Sequence, residues 1–391
     1  MADTITPHVL AATPVPYTPD VEKVEAYEDD LTVDIADVVM GIIRKTYANG
    51  NHALRGIHAK SHAILCGELQ VLGDLPAELA QGLFAREAAY PVIMRFSTTP
   101  GDVLPDSVST PRGVAFKVIG VDGPRLPGAD GATQDFVMVN GPAFATPNGK
   151  AFLGNLKLLA ATTDRVEGVK VAVSKVLQGT ESVIESLGGK SGAVRALGGE
   201  PAHHPLGETY FTQVPVRYGA YIAKLSLAPA SDTLRDLKGA HINIDAHPYA
   251  IREAMIDYFA VHGGDWDLRV QLCTDLDAMP VEDASKVWPE DQSPFITVAC
   301  LHVPPQTAWS EARSAAVDDG MSFSPWHGID AHRPLGSIMR LRKSVYEASA
   351  HFRSEHAARP MFEPDRLPDA FLEDDGREDD GSPDGTDVFY P

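Results

Sequence analysis

Leu341-Arg342-Lys343-Ser344-Val345-Tyr346-Glu347-Ala348-Ser349-Ala350-His351-Phe352-Arg353 is the stretch on which the reading of this chain turns. Read as a helix, offsets of four and seven place Arg342, Tyr346 and Arg353 on one face. Leu335 and Met339 carry that face upstream, so it is otherwise apolar and expected to be buried. Positive charge beside a phenol favours its ionised form. A phenolate is a hard, anionic ligand, and one of its uses is to hold a haem iron. The same residues also suit a packed tyrosine beside two helix-surface arginines. Choosing between these readings takes a second segment.

That segment is Arg55-Gly56-Ile57-His58-Ala59-Lys60-Ser61-His62-Ala63-Ile64-Leu65-Cys66-Gly67-Glu68-Leu69, which reads as a strand opening a sheet. Met94-Arg95-Phe96-Ser97-Thr98, Thr110-Pro111-Arg112-Gly113-Val114-Ala115-Phe116-Lys117 and Asp135-Phe136-Val137-Met138-Val139-Asn140-Gly141-Pro142-Ala143-Phe144 follow. Trp288-Pro289 and Ser293-Pro294-Phe295-Ile296-Thr297-Val298 then lead towards the first stretch. In this order, and with Arg-x-x-x-Tyr at 342–346, the segments resemble the catalase superfamily over about residues 50 to 355. Within it the chain resembles the small catalase-related haem proteins more than full-length catalases.

The resemblance implies an α+β fold, an antiparallel eight-stranded β-barrel with helices packed around it. It implies haem b, with Tyr346 as proximal iron ligand and Arg342, one helical turn before it, keeping the phenol ionised. His58 matches the distal histidine, pointing inward from a barrel strand. Splitting a peroxide needs a base that removes a proton and returns it to the departing oxygen, a shuttle suited to imidazole. Ser97 sits where the family hydrogen-bonds that histidine. Arg55, Arg95 and Arg353 match the arginines that take the two haem propionates, for which guanidinium forks are suited. Phe152 falls where a phenyl ring stacks beside the haem, though a helix-face Phe is equally well explained by packing. On a strand His58 and His62 would lie about 13 Å apart, too far to share a metal ion.

One departure concerns the distal amide. The family carries two consecutive asparagines in the fourth strand, and here the pair is Val139-Asn140. Asn140 is retained as a candidate catalytic residue, recruited by a local bulge, against the alternative that it caps the following turn. With valine at the amide position a second peroxide would be poorly held, so peroxidase activity is expected over fast dismutation. Ile57, where the allene oxide synthase branch has threonine, argues against that branch. The shorter ends expected here, relative to large catalases, imply a more open channel. The expected function is therefore reduction of hydrogen peroxide or an organic hydroperoxide, with a small-molecule electron donor. Alternatives are a fatty-acid hydroperoxide lyase or isomerase, and a haem or lipid carrier without chemistry.

Composition agrees with a globular protein: 391 residues, 44% hydrophobic and 22% charged. A net charge of −21 argues against nucleic acid and anionic membrane surfaces as partners. Residues 362–391 hold eleven Asp or Glu against two Arg, which is −9 of that charge. An acidic flexible tail is expected over 361–391. Cys66, Cys273 and Cys300 are odd in number and widely spaced, which suits a reducing compartment. With no apolar run near the ~20 residues of a membrane span and no secretory pattern, a cytoplasmic location is expected. A homo-oligomer is compatible with the sequence.

The pass along the chain predicts an arm and helix over 1–50, the helix at 33–48, and the barrel over 51–360. Strands are expected at 57–71, 90–98, 112–121, 134–140, 208–228, 240–245, 266–274 and 294–303. Helices are expected in a glycine-broken block at 148–196, at 247–262 and at 333–357.

Overall fold

A computed structural model describes residues 12–162, 200–356 and 360–372. Its centre is a sheet of nine strands: β1 (Ser61–Val71), β2 (Ala88–Thr98), β3 (Arg112–Ile119), β4 (Thr133–Val139), β5 (Tyr210–Phe211), β6 (Val216–Tyr218), β7 (Tyr221–Pro229), β8 (Gly264–Leu272) and β9 (Ile296–Val303). The order β5-β4-β3-β2-β1-β9-β8-β7-β6, with β5 also paired to β7, closes eight of them into an antiparallel barrel. The ninth, β6, is a hairpin partner outside the ring.

Alternation along the strands sets what lies inside. Met94 and Phe96 of β2, Val114 and Phe116 of β3, and Phe136 and Met138 of β4 meet Trp266 and Leu268 of β8 in the main core. Phe116 and Phe136 stack there with ring centres 5.0 Å apart. The barrel is thus filled by side chains. The intervening residues, Arg95, Ser97, Gly113, Ala115, Val137 and Val139, line a cavity between the barrel's outer face and the helices. The expectation that His58 points into the barrel from a strand is corrected: it precedes β1, and its ring lies against Gly113 in this outer cavity.

Three long helices cover that face: α1 (Glu28–Gly50), α2 (Gly149–Thr162) and, after α3 (Ala250–Phe259), α4 (Ser337–His356). Leu31, Ile35, Val39 and Ile43 recur every four residues on α1 and pack with Leu153, Leu156, Leu341 and Val345. Acidic Glu28, Asp29 and Asp30 suit the positive end of α1, and Asn51, left-handed at φ 49°, caps its other end. The close approach of α2 to α4 depends on Gly149, where a Cβ would overlap Leu341.

Two strand expectations change. The run 208–228 divides into β5, β6 and β7, because Gln213 and Gly219 take left-handed turns at φ 64° and 60°. The segment 240–245 makes only an isolated bridge, His203 to His241. The barrel's eighth strand therefore comes from inside 208–228. Of the helical block at 148–196, residues up to Thr162 are α2, and the rest lies outside the described residues. Residues 361–372, read from sequence as the start of a flexible tail, lie against the barrel. Phe371 is buried, and Glu363 pairs with Lys117, whose side chain is wholly buried. Residues 373–391 lie outside the described residues.

Candidate active site

The cavity outside the barrel measures about 380 Å³. Arg342, Tyr346, Ser349 and Arg353 reach it from one face of α4, and Phe152 and Leu156 from α2. Ile35 and Val39 of α1 close the apolar side. The helical spacing brings Arg342 Nη2 to 2.6 Å from Tyr346 Oη, where it donates a hydrogen bond to the phenol oxygen. The other arm of the same guanidinium, Nη1, lies 3.5 Å from the Met339 sulfur.

His58 lies in the loop before β1, not on a strand. Its backbone is left-handed at φ 59°, a conformation that costs a non-glycine residue about 1 kcal/mol or more. The His58 N–H donates to Thr99 O at 2.8 Å and the Ala59 N–H to Pro100 O at 2.9 Å, which holds the twist. This is why the strand expected from residue 57 begins only at Ser61. Nδ1 of His58 is hydrogen-bonded to Ser97 Oγ at 3.0 Å. The ring lies against Gly113, where any Cβ would overlap it. Burial, and then Arg95, Arg342 and Arg55, push the imidazole down to about 3, so it is neutral at ordinary pH. His62, the neighbour in the histidine pair, is on β1 and sits 3.2 Å from Thr98 Oγ1.

Arg55, Arg95 and Arg353 converge on one residue that sequence reasoning missed, Asp318 in a wide π-helical turn at Ala315–Asp319. Arg95 Nε donates to Asp318 Oδ1 at 2.6 Å, and Arg55 Nη1 reaches the same oxygen at 3.2 Å. Arg55 and Arg353 both donate to the Asp318 carbonyl at 2.8 Å. Ser61 and Ser314 hold the other carboxylate oxygen at 2.6 and 2.9 Å. Burial alone would raise the Asp318 carboxyl, but Arg95, Arg55 and the Ser61 hydroxyl bring it down to about 2. Arg353 Nε remains buried without a partner among the described residues. Asp318 could have been anticipated only by asking what neutralises three arginines on one buried surface.

Asn140 lies on the cavity wall at the end of β4, but its amide is committed. Nδ2 donates to Glu200 at 2.8 Å and to Glu208 at 3.3 Å, and Oδ1 accepts from the Arg112 N–H at 3.0 Å. Both amide protons are engaged, so the geometry does not support the catalytic role expected for it. Val139, at the amide position of the resemblance, lines the cavity with its apolar side chain. Phe152 also lines it and meets Phe144 edge-on, ring centres 5.3 Å apart.

As a chemical environment, the cavity presents a phenol backed by a guanidinium, a neutral imidazole and three further guanidiniums, on largely apolar walls. Such walls strengthen every charge interaction inside. The phenol suits a hard metal ion, the three guanidiniums suit carboxylates, and the imidazole can accept a proton.

No protein-family model and no curated protein matches the chain. Among solved structures it is similar to a fungal catalase, with a TM-score of 0.55 and 16% identity over 91% of this chain and 66% of that one. It is also similar to catalase A from Saccharomyces cerevisiae, with a TM-score of 0.56 and 16% identity over 99% of this chain and 78% of that one. The chain thus spans about two thirds of the fungal catalase's length. No helix among the described residues is long and apolar enough to cross a membrane. A closed antiparallel eight-stranded barrel with helices on its outer face, superposable on catalases over most of its length, gives this chain the catalase-like fold.

Proposed function

We propose that the chain is a haem-dependent peroxidase that reduces hydrogen peroxide or organic hydroperoxides with electrons from a small-molecule donor. The observation that carries this reading is one cavity shared by the Arg342–Tyr346 pair, neutral His58 and the three arginines around Asp318. These residues fit haem b. Tyr346 would ligate the iron, and Arg55, Arg95 and Arg353, the last with its partnerless Nε, would take the propionates. When bound, the haem group would supply the two electrons that split the peroxide O–O bond, one from its iron and one from its ring or a nearby side chain.

The chain's own residues would do the rest. Arg342 stabilises the phenolate form of Tyr346 through its charge-assisted hydrogen bond. Ser97 and Gly113 fix the His58 ring, leaving Nε2 to take the proton from the incoming hydroperoxide and return it to the departing oxygen. An imidazole held well below its usual range arrives neutral and gives its proton back readily. Phe144 and Phe152 keep that side of the cavity dry. With Val139 on the wall and the Asn140 amide engaged elsewhere, neither position offers a free amide to orient a second peroxide. That favours an organic donor over dismutation. Ile57, which also lines the cavity, offers no hydroxyl to an isomerase.

The test is the visible spectrum of the purified protein beside Tyr346→Phe, followed by peroxide assays with His58→Ala. The expected result is a high-spin ferric spectrum, altered in Tyr346→Phe, with dye-donor oxidation that His58→Ala abolishes. A protein that stays colourless after haem is supplied would sink the reading. Vigorous dioxygen release without a donor would mark a catalase instead. Loss of a fatty hydroperoxide's chromophore without a donor would mark an isomerase.

A further inference from the structure

Three buried guanidiniums facing one cavity repel each other, and nothing in their separate elements aims them at a common point. Arg55 comes from a loop, Arg95 from β2 and Arg353 from α4. What brings them together is Asp318, whose carboxylate and carbonyl accept from all three. The carbonyls on either side complete the frame: Val317 O accepts from Arg55 at 2.9 Å, and Met321 O accepts from Arg55 and Arg353 at 3.0 Å each. Its second carboxylate oxygen is tied to Ser61 and Ser314, so the group cannot swing away when a ligand enters. Asp319, next in the chain, pairs with His52 at 3.0 Å, and its charge also acts on Arg55 and Arg353.

Three guanidiniums against the carboxylates of Asp318 and the more exposed Asp319 leave the layer net positive. A ligand that brings carboxylates to this layer compensates that charge, and one without them leaves it buried and uncompensated. We propose that Asp318 is the positioning residue that turns Arg55, Arg95 and Arg353 into a receptor for a dicarboxylate. The proposal rests on the haem reading above but goes beyond it. It assigns the recognition of the carboxylates to the geometry set by a residue that need not touch them. Arg353 Nε, buried and without a partner in the described residues, is one donor that the arrangement holds ready.

The experiment is a titration of the full chain, prepared free of cofactor, with iron protoporphyrin IX and separately with its dimethyl ester. Asp318→Asn and Ser314→Ala are titrated alongside. The parent is expected to favour the diacid at least tenfold. Asp318→Asn should bring that preference close to unity. Ser314→Ala, which keeps the charge but removes one of the two hydroxyls that hold Oδ2, should lower it severalfold, and it serves if Asp318→Asn does not fold. A purely structural role would lower thermal stability and weaken both porphyrins alike. A diacid-to-diester ratio unchanged in the folded variants therefore overturns the proposal while leaving the haem reading intact. A parent that binds neither porphyrin overturns both.

Discussion

Gly113 and His58 show how one missing side chain can set up a proton shuttle. The imidazole rests where a Cβ on residue 113 would be, and Ser97 holds its Nδ1. Gly113→Ala should therefore displace the ring and lower dye-donor oxidation at least tenfold, while the haem spectrum stays close to the parent's. Equal loss of haem binding and turnover would show instead that Gly113 matters only for packing. Asn140 gives the opposite contrast. Asn140→Ala removes the donor to Glu200 and the acceptor for the Arg112 N–H, at a cost of about 3 kcal/mol in stability. Its turnover per bound haem should remain near the parent's. A hundredfold fall in turnover with stability unchanged would restore it as a catalytic amide. The candidate residues of the site were named from the order of segments that resembles the catalase superfamily, position by position. The hydrogen bonds that decide their roles were not legible, since the partners of Asn140 lie 60 and 68 residues away in sequence.

At the scale of elements, α4 is held at both ends by charge. Near its start Arg340 donates to Glu22 at 2.7 Å, Glu28 at 2.8 Å and Glu282 at 3.1 Å, which ties the N-terminal arm and α1 to the helix that carries Tyr346. Near its end Arg353 is fixed to the Asp318 turn. Arg340→Met should leave three carboxylates facing each other and cost about 3 kcal/mol, read as a lower urea midpoint. Salt at about 0.5 M should recover part of that loss by screening their repulsion. A midpoint that does not move would mean the arm is held by apolar contacts alone. The helices α3 and α4 were legible from their periodicity, α1 begins earlier than expected, and the block expected at 148–196 is described only to Thr162. The strand content of 208–228 was not legible, because its division depends on left-handed turns at Gln213 and Gly219, and nothing about a glutamine announces one.

Across the whole molecule, buried histidines tie stability to pH. Burial pushes His58 and His332 down to about 3 and His204 to about 4. His332 Nε2 and His204 Nδ1 each accept a backbone N–H, from Leu83 at 3.0 Å and Leu206 at 3.2 Å, which an imidazolium could not do. Each folded value lies below the unfolded one near ~6.5. Their contribution is therefore full above about pH 6.5 and is lost as pH falls towards 3 or 4. Each histidine adds about 1.4 kcal/mol per pH unit across that window. His332→Gln should flatten the dependence of the unfolding free energy on pH by about that slope between pH 6 and 5. An unchanged slope would mean that His332 is already protonated in the folded chain.

The candidate chemistry of the site came from the resemblance to the catalase superfamily; the sequence by itself determined most of the strands and helices and the face of α4 that carries Arg342, Tyr346 and Arg353. These depend on local periodicity and on residue type, which neighbours in the chain suffice to define. Only the tertiary structure decided that the cavity lies outside the barrel, that β5 closes the ring between β4 and β7, and that Asp318 gathers three arginines from three elements. Such contacts join residues as much as 263 positions apart. Charge compensation and strand pairing over that range depend on which surfaces become neighbours when the core is buried, and no local pattern in the chain specifies it.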